Sequence, residues 1–225
     1  MSTEGHSMHT LTEENYLKAI YRIFESTGET VSTNAIAENL QINAASVTDM
    51  FKKLGQQKLV MYEKSKGVRP TDKGKKIALQ IIRKHRLWET FMVEKLKLSW
   101  DEVHEIAEQL EHVHSDLLIE RLDQLLNYPK FDPHGDPIPD KNGKLPVLKS
   151  ILLSDAKPGS SYKITGVGKN SDTFLKYLKK IGLYLGGMIK VKEVEEYDGS
   201  MKIQVMDTKE EVMLSKEATS NLLVD

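Results

Sequence analysis

The 225-residue chain contains no cysteine. This excludes a disulfide framework, a thiolate metal centre and a cysteine nucleophile, and it fits a cytoplasmic location. Long hydrophobic runs are missing too. No apolar stretch approaches the ~20 residues that cross a bilayer. The first dozen residues carry Glu4, His6, His9 and several hydroxyls where a secretory leader has its apolar core, so neither secretion nor membrane insertion is expected. Neither sign of charge dominates: 32 Lys and Arg stand against 33 Asp and Glu, for a formal charge of -1. With 39% hydrophobic and 29% charged residues, the composition is that of a soluble globular protein of two or three domains.

The balance conceals an asymmetry. Lys52 to Arg86 holds twelve basic residues and two acidic ones, whereas Leu87 to Asp140 holds four basic and thirteen acidic. A basic block reads as a polyanion-binding surface, and the acidic block beside it has carboxylates to spare. Two solvated helix faces are the plain alternative.

Helical periodicity opens the chain. Tyr16, Leu17, Ile20, Tyr21, Ile23 and Phe24 form an apolar stripe over Leu11 to Glu25, with Thr12 as the expected N-cap and Asn15 three positions on. A short helix is predicted over Thr33 to Leu40, and a third over Ala44 to Gln56, capped by Asn43. The three-residue turn Gln41-Ile42-Asn43 between them is the layout of a helix-turn-helix. Leu59 to Glu63 and Gly67 to Pro70 then read as a hairpin around Lys64-Ser65-Lys66, which completes a winged motif. On its third helix Ala45, Ser46, Thr48 and Asp49 are small or polar where base edges are met. Lys52 and Lys53 follow, and Lys64 and Arg69 lie on the wing. Thr33, which opens the second helix, joins this DNA-facing set.

A long helix is expected from Thr71 or Asp72 to about Leu96, and another from Asp101 to Leu125. Their apolar stripe, around Trp88, Phe91 and Leu110, exceeds what the winged domain needs and points to a homodimer. Five of the seven prolines lie between Pro129 and Pro146, a stretch that cannot be regular structure. From about Pro158 apolar and polar residues alternate over 162–164, 189–192 and 201–205, with a turn at Tyr197 to Ser200. One short helix interrupts them, capped by Ser171 and stopped by Gly182. The expected fold is mainly α with a C-terminal all-β domain: a winged domain over 1–74, a helical metal-binding and dimerisation domain over 75–146, and a small barrel over 147–225.

The chemistry concentrates in the acidic block. His104, Glu108, Glu111 and His112 would share a roughly 100° arc of one helix, and His85 and Glu89 stand one turn apart on the helix before it. A solvated face explains any one of them. Six on two faces point to a divalent cation. Protease chemistry fails on spacing, since His104-Glu105 is followed by Glu108 where the zinc-protease helix requires His. No Gly-x-Ser-x-Gly elbow or phosphate-cradling glycine loop is present, and Gly166-Val167-Gly168 lies among predicted strands.

The order of Tyr16-Leu17-Lys18-Ala19-Ile20-Tyr21, the winged motif, Arg83-Lys84-His85-Arg86-Leu87-Trp88-Glu89, Val103-His104 through Glu111-His112-Val113, and Phe131-Asp132-Pro133-His134-Gly135-Asp136-Pro137-Ile138-Pro139 resembles the diphtheria-toxin-repressor family of metal-dependent transcriptional regulators. The resemblance covers residues 8 to 140. The tail is similar to that family's SH3-like third domain, itself related to the ferrous-transport A proteins.

The resemblance implies an effector site from Asn15, Glu108, Glu111 and His112, and an ancillary site from His85, Glu89 and His104, with Asp172 as a candidate from the barrel. It also implies a pseudo-palindromic double-stranded DNA operator. Three positions depart from the family pattern: Asn15 replaces Met or Asp, Glu108 replaces the Cys of the iron branch, and Lys18 replaces a Glu ligand of the two-domain manganese branch. With oxygen donors and one imidazole, the effector site favours Mn(II), with Fe(II) second. The expected protein is thus a Mn(II)-activated repressor of metal-uptake genes and not an enzyme. A metal-independent winged-helix factor is the rival reading, and a metal hydrolase with a DNA-binding domain comes third.

Overall fold

The computed structural model describes residues 9–147, 149–168 and 172–225, the side chain of Asp172 excepted. These residues pack as two compact units. The first gathers the chain up to His85 with Glu111–His114 and Pro139–Lys144; the second gathers Arg86–Leu110, Ser115–Ile138 and Leu145–Asp225.

The first unit opens with α1 (Leu11–Thr27). Its N-cap is Thr10, two residues ahead of the expected Thr12. Thr10 has a glutamate at the third helical position, and the two close a reciprocal capping box: Glu13 N–H donates to Thr10 Oγ1, and Thr10 N–H donates to Glu13 Oε2 at 2.8 Å. Starting at Thr12 would put Asn15 in that role and lose one of the two bonds. Gly28 ends the helix in the left-handed region at φ 69°.

Helix α2 (Thr33–Asn39) is capped by Ser32 and α3 (Ala44–Gln56) by Asn43, whose Oδ1 accepts from Ser46 N–H at 2.8 Å. Strands β1 (Val60–Glu63) and β2 (Gly67–Pro70) pair antiparallel, with Met61 opposite Arg69. Gly67 has φ 112°, and a Cβ there would lie 2.1 Å from the Val31 carbonyl oxygen, so only glycine lets the wing pack on the segment before α2. Leu17, Ile20, Ile36, Val47, Phe51, Leu54 and Leu59 fill the core beneath. Helix α4 (Asp72–Glu94) leaves the wing, and Lys97 at φ 60° marks the turn beyond its end. In this unit its first half binds the returning 139–144 segment: Gln80 Nε2–H donates to the Lys141 carbonyl at 2.8 Å and Arg83 to that of Pro139 at 3.3 Å.

In the second unit the expected continuous helix from Asp101 to Leu125 is two helices, α5 (His104–Leu110) and α6 (Asp116–Leu125). The start signal for the second lies inside the apolar stripe: the Ser115 side chain accepts from Leu118 N–H, and Asp116 sits in the first turn. The face thought to carry four ligands is therefore broken, with His104 and Glu108 on α5 and Glu111 and His112 in the turn that follows.

Leu87, Ile119, Leu122, Leu126 and Ile138 form one core and Met92, Val103 and Ala107 another, with Trp88 and Phe91 packed against both. Helix α6 leaves three leucines to solvent: Leu117, Leu118 and Leu125 are 66%, 42% and 55% exposed. The proline-rich 129–146 stretch holds no helix or strand among its described residues, only a bridge between Phe131 and Pro137.

The C-terminal part is a six-stranded antiparallel sheet in the order β3-β8-β4-β5-β6-β7, built from β3 (Ile151–Leu152), β4 (Ser161–Val167), β5 (Met188–Val194), β6 (Met201–Val205), β7 (Glu211–Leu214) and β8 (Leu222–Val224). Helices α7 (Asp172–Lys180) and α8 (Lys216–Thr219) complete this SH3-like domain around Ile164, Leu178, Ile189, Val191 and Ile203. The alternating segments of the sequence are β4, β5 and β6. The short β3, β7 and β8 carry too few residues to show a period. Gly182 takes φ 76° just past α7, and the expected cap Ser171 lies outside the described residues.

Candidate metal centres and DNA-facing surface

In the first unit the polar centre is Glu111, which is fully buried. Its Oε1 lies 2.6 Å from Lys18 Nζ and 3.6 Å from His112 Nε2, and its Oε2 lies 2.7 Å from His85 Nδ1. The other nitrogen of His112, Nδ1, sits 2.5 Å from Glu14 Oε2. Helix α1 supplies both Glu14 and Lys18, four residues apart on one face. A carboxylate bonded to one ring nitrogen fixes the imidazole so that the other nitrogen presents its lone pair, the usual support for a metal-ligating histidine. Here Nε2 is turned toward Glu111.

Asn15 lies one turn before Lys18, and its Oδ1 is buried without a hydrogen-bond partner among the described residues. An unsatisfied buried amide oxygen costs about 1–3 kcal/mol, which a cation would recover. The donor set fits a hard divalent ion. Glu14 escaped the sequence reading because nothing in its spacing distinguishes it from the other first-turn carboxylate, Glu13.

The second unit holds a cluster of its own. Ligand atoms of Glu89, Asp132 and His134 lie within 4.8 Å of one another, and all three residues are buried. His134 Nε2 is 2.8 Å from the Trp100 carbonyl and donates to it, which leaves Nδ1 facing Glu89 Oε2 at 3.4 Å. Asp132 Oδ1 accepts from the backbone N–H of His134 and Asp136 at 2.8 and 3.0 Å. Its Oδ2 lies 3.6 Å from Arg86 Nε, an ion-pair and not a hydrogen-bond distance, and neither it nor His134 Nδ1 has a hydrogen-bond partner among the described residues, so the cluster keeps donor atoms for a cation beside that guanidinium.

Burial, aided by Asp136 and Glu89, pushes Asp132 up to about 7. Burial opposes the charge on His134, but Glu89, Asp132 and the Trp100 carbonyl outweigh it and raise its pKa to about 9. The loop is held by close approach: a Cβ on Gly135 would lie 2.0 Å from the Thr165 carbonyl oxygen, and His134 accepts from Val167 N–H at 2.9 Å. Sequence reasoning missed Asp132 and His134 because they sit in a proline-rich connection with no periodicity. The available signal was a glycine directly after a histidine in an otherwise extended stretch.

His104 approaches this cluster, its Nδ1 3.3 Å from Glu89 Oε1 and its Nε2 3.6 Å from Glu108 Oε1. Of the residues predicted from sequence, Glu111, His112 and His85 converge within the first unit, and Glu89, His104 and Glu108 within the second. The side chain of Asp172 lies outside the described residues.

The third helix presents Ala45, Ser46, Asp49, Lys52 and Lys53 to solvent, as the wing does Lys64 and Arg69; Thr33 and Thr48 are half-buried. Several are already partnered. Thr48 Oγ1 donates to the Ala44 carbonyl, Lys52 pairs with Asp49 at 3.0 Å, Lys53 with the buried Glu13 at 3.2 Å, and Arg69 Nε donates to Thr30 Oγ1 at 2.7 Å.

A winged helix-turn-helix joined to buried His and carboxylate clusters defines a class: a DNA-binding fold with ligand sets for divalent cations. Residues 8–68 match the family described as iron dependent repressor, N-terminal DNA binding domain, residues 71–140 the iron dependent repressor, metal binding and dimerisation domain, and residues 151–225 the FeoA domain. The chain is 36% identical over 128 residues to the iron-dependent repressor IdeR of Mycobacterium tuberculosis, covering 57% of this chain and 55% of that relative. To the transcriptional regulator MntR of Oceanobacillus iheyensis it is 37% identical over 125 residues, covering 56% of this chain and 84% of MntR. The solved structure of a manganese-dependent transcriptional repressor in complex with manganese superposes with a TM-score of 0.82 at 34% identity, covering 95% of this chain and 99% of that one.

The chain therefore belongs to the iron-dependent repressor family of metal-dependent transcriptional regulators. The match spans about half the length of the IdeR relatives. No helix among the described residues is long and apolar enough to cross a membrane.

Proposed function

We propose that the protein is a Mn(II)-activated, homodimeric repressor that binds a pseudo-palindromic operator of metal-uptake genes. The observation that carries this reading is the contact of α1 with the Glu111–His114 turn through Glu14 and Lys18, on a helix whose Asn15 Oδ1 is buried without a hydrogen-bond partner among the described residues. Asn15, Glu111 and His112 would hold the ion, with Glu14 orienting His112. Glu89, Asp132 and His134 would hold a second ion, and Glu108, His85, His104 and Asp172 keep the ligand roles that the sequence resemblance implies.

A bound divalent ion supplies a positive centre that oxygen and nitrogen donors can share. The chain's own part is mechanical: α1 packs in one core with α2 and α3, so fixing its first turns fixes the recognition helix. Lys52, Lys53, Lys64 and Arg69 neutralise phosphates, Ala45, Ser46 and Thr48 meet base edges, and Thr33 and Asp49 flank them. Exposed Leu117, Leu118 and Leu125 on α6 support a dimer that places two recognition helices in successive major grooves. No catalytic step belongs to this reading. The three working parts are residues 1–74, 75–146 and 147–225.

All-oxygen and imidazole donors favour Mn(II) over softer ions by ligand type, and discrimination against Zn(II) must come from coordination number because affinity alone follows the Irving–Williams order. Fe(II) is the second reading, favoured by the likeness to IdeR. The test is a mobility shift of DNA selected from a random pool, run with Mn(II), Fe(II) or chelator. Retention by Mn(II) and release by chelator are expected. Binding that survives chelator in Glu111→Ala with His112→Ala sinks the sensor reading, and binding with Fe(II) at concentrations where Mn(II) does nothing sinks the manganese assignment.

A further inference from the structure

Arg69 is the one arginine of the wing, and its guanidinium is already oriented in the free protein. The side chain is exposed on β2, opposite the equally exposed Met61 of β1. Its Nε–H donates to Thr30 Oγ1 at 2.7 Å. A guanidinium has five N–H groups, so this bond leaves the four on the two terminal nitrogens for a ligand. Glu63, the carboxylate of the facing strand, is held by Lys66 at 2.7 Å and has a cation of its own.

Thr30 is itself fixed in place. Val31, the next residue, is 2% exposed and exchanges both backbone hydrogen bonds with Val68 at 2.9 Å, so it lies against β2 as a one-residue third strand. One residue further on, Ser32 caps α2 by accepting from Ala35 N–H at 3.1 Å. The wing and the helix-turn-helix are thus joined through Thr30, Val31 and Ser32. An arginine that grips a phosphate must otherwise give up its rotamer freedom on binding, whereas here that freedom is already restricted. With Nε turned to the protein, the terminal pair faces outward, in the arrangement that meets two oxygens of one phosphate.

We propose that Thr30 is a positioning residue for DNA binding: it holds the Arg69 fork ready, so that the wing grips a backbone phosphate in fixed register with the base-reading helix α3. The inference rests on the DNA-binding reading above. It separates two properties of the contact. The charge of Arg69 sets the salt dependence, and the Thr30 hydroxyl sets how tightly that charge is used.

The test uses the full-length protein with Mn(II) and DNA selected from a random pool, titrated by fluorescence anisotropy over a salt series. Thr30→Val keeps the shape and the β-branched backbone preference without the hydroxyl. It should lose roughly threefold in affinity per wing, about tenfold for a dimer, because the arginine side chain must then be ordered on binding. Its salt dependence should stay unchanged, because the charge still reaches the phosphate. Thr30→Ser, which restores the hydroxyl, should bind within twofold of the unmodified protein. Arg69→Met should lower the salt dependence by about two charges per dimer. Adding Thr30→Val to Arg69→Met should cost nothing more.

Affinity within twofold of normal in Thr30→Val, an equal loss in Thr30→Ser, or a loss from Thr30→Val that persists beside Arg69→Met overturns the positioning role and leaves DNA binding intact. If Thr30→Val does not fold, Arg69→Lys decides: it keeps the charge without the Nε–H, so a tenfold loss at constant salt dependence is expected and full affinity overturns the proposal. Unmodified protein that selects no DNA from the pool refutes the DNA-binding reading, and the role of Thr30 falls with it.

Discussion

Glu13 fastens the first turn of α1 to the last turn of the recognition helix, and replacing it by glutamine tests how much its charge contributes. Its carboxylate is 3% exposed and accepts from Thr10 N–H at 2.8 Å and Gln57 Nε2–H at 2.7 Å, with Lys53 Nζ at 3.2 Å. Burial alone would raise its pKa, but the bonds from Thr10, Gln57 and Lys53 prevail and hold it at about 2, against an ordinary 4.5.

A depression of that size corresponds to about 3 kcal/mol at neutral pH. Lys53 is half exposed, and glutamine can still close the capping box, so about 2 kcal/mol should be lost in Glu13→Gln. Because the folded pKa is depressed, the contribution is fully present above pH 4.5 and disappears as the pH falls through 2. Amide hydrogen exchange in α1 and α3, read by mass spectrometry, isolates this unit. The variant should exchange about 30-fold faster near pH 7, with the gap narrowing steadily toward pH 3. A difference under threefold at pH 7, or one that does not shrink with acid, refutes the assignment of the stability to the Glu13 charge.

Mn(II) should raise the melting temperature more at pH 8 than at pH 6. His134, with its folded pKa raised to about 9, stabilises the metal-free fold fully below pH 6.5 and loses this as pH rises through 9. Asp132, raised to about 7, likewise favours the fold at low pH, while a bound ion replaces both protons. A thermal shift that is flat or reversed with pH, or untouched by His134→Ala, would count against a metal at this cluster. Lys64→Ala should weaken binding to all DNA sequences about equally and reduce the salt dependence by roughly one charge, measured by titration over a salt series. Ser46→Ala with Thr48→Ala should change which sequences are selected from a random pool; unchanged preference would show that α3 does not read bases. Leu117→Glu with Leu125→Glu should give a monomer at micromolar concentration by analytical ultracentrifugation, and a persistent dimer would place the interface elsewhere.

Local signals carried much of this fold. The Asn43 cap, the apolar period of α3 and the basic turn between β1 and β2 are written over a few consecutive residues, and the structure reproduces them at the expected positions. Capping was less legible where two threonines competed. Thr10 won over Thr12 because the box needs a glutamate three residues on, a pairwise condition that a stripe of apolar residues does not reveal. The break at Glu111–Ser115 was hidden for a similar reason: Ser115 is a start signal, but the apolar period runs across it.

The sequence by itself determined that the chain has a winged motif, an acidic block with histidines at helical spacing and a β-rich tail, because those are periodic or contiguous features set by backbone geometry. Only the tertiary structure decided which side chains meet. Glu14 and Lys18 reach a turn some 90 residues away, as the 93-residue separation of the Lys18–Glu111 pair records. Asp132 and His134 join Glu89 only because Gly135 lets their loop press against β4. Such contacts depend on burial, which makes an unpaired amide oxygen or imidazole costly and thereby marks a site. Burial is a property of the packed chain, and no spacing along the sequence encodes it.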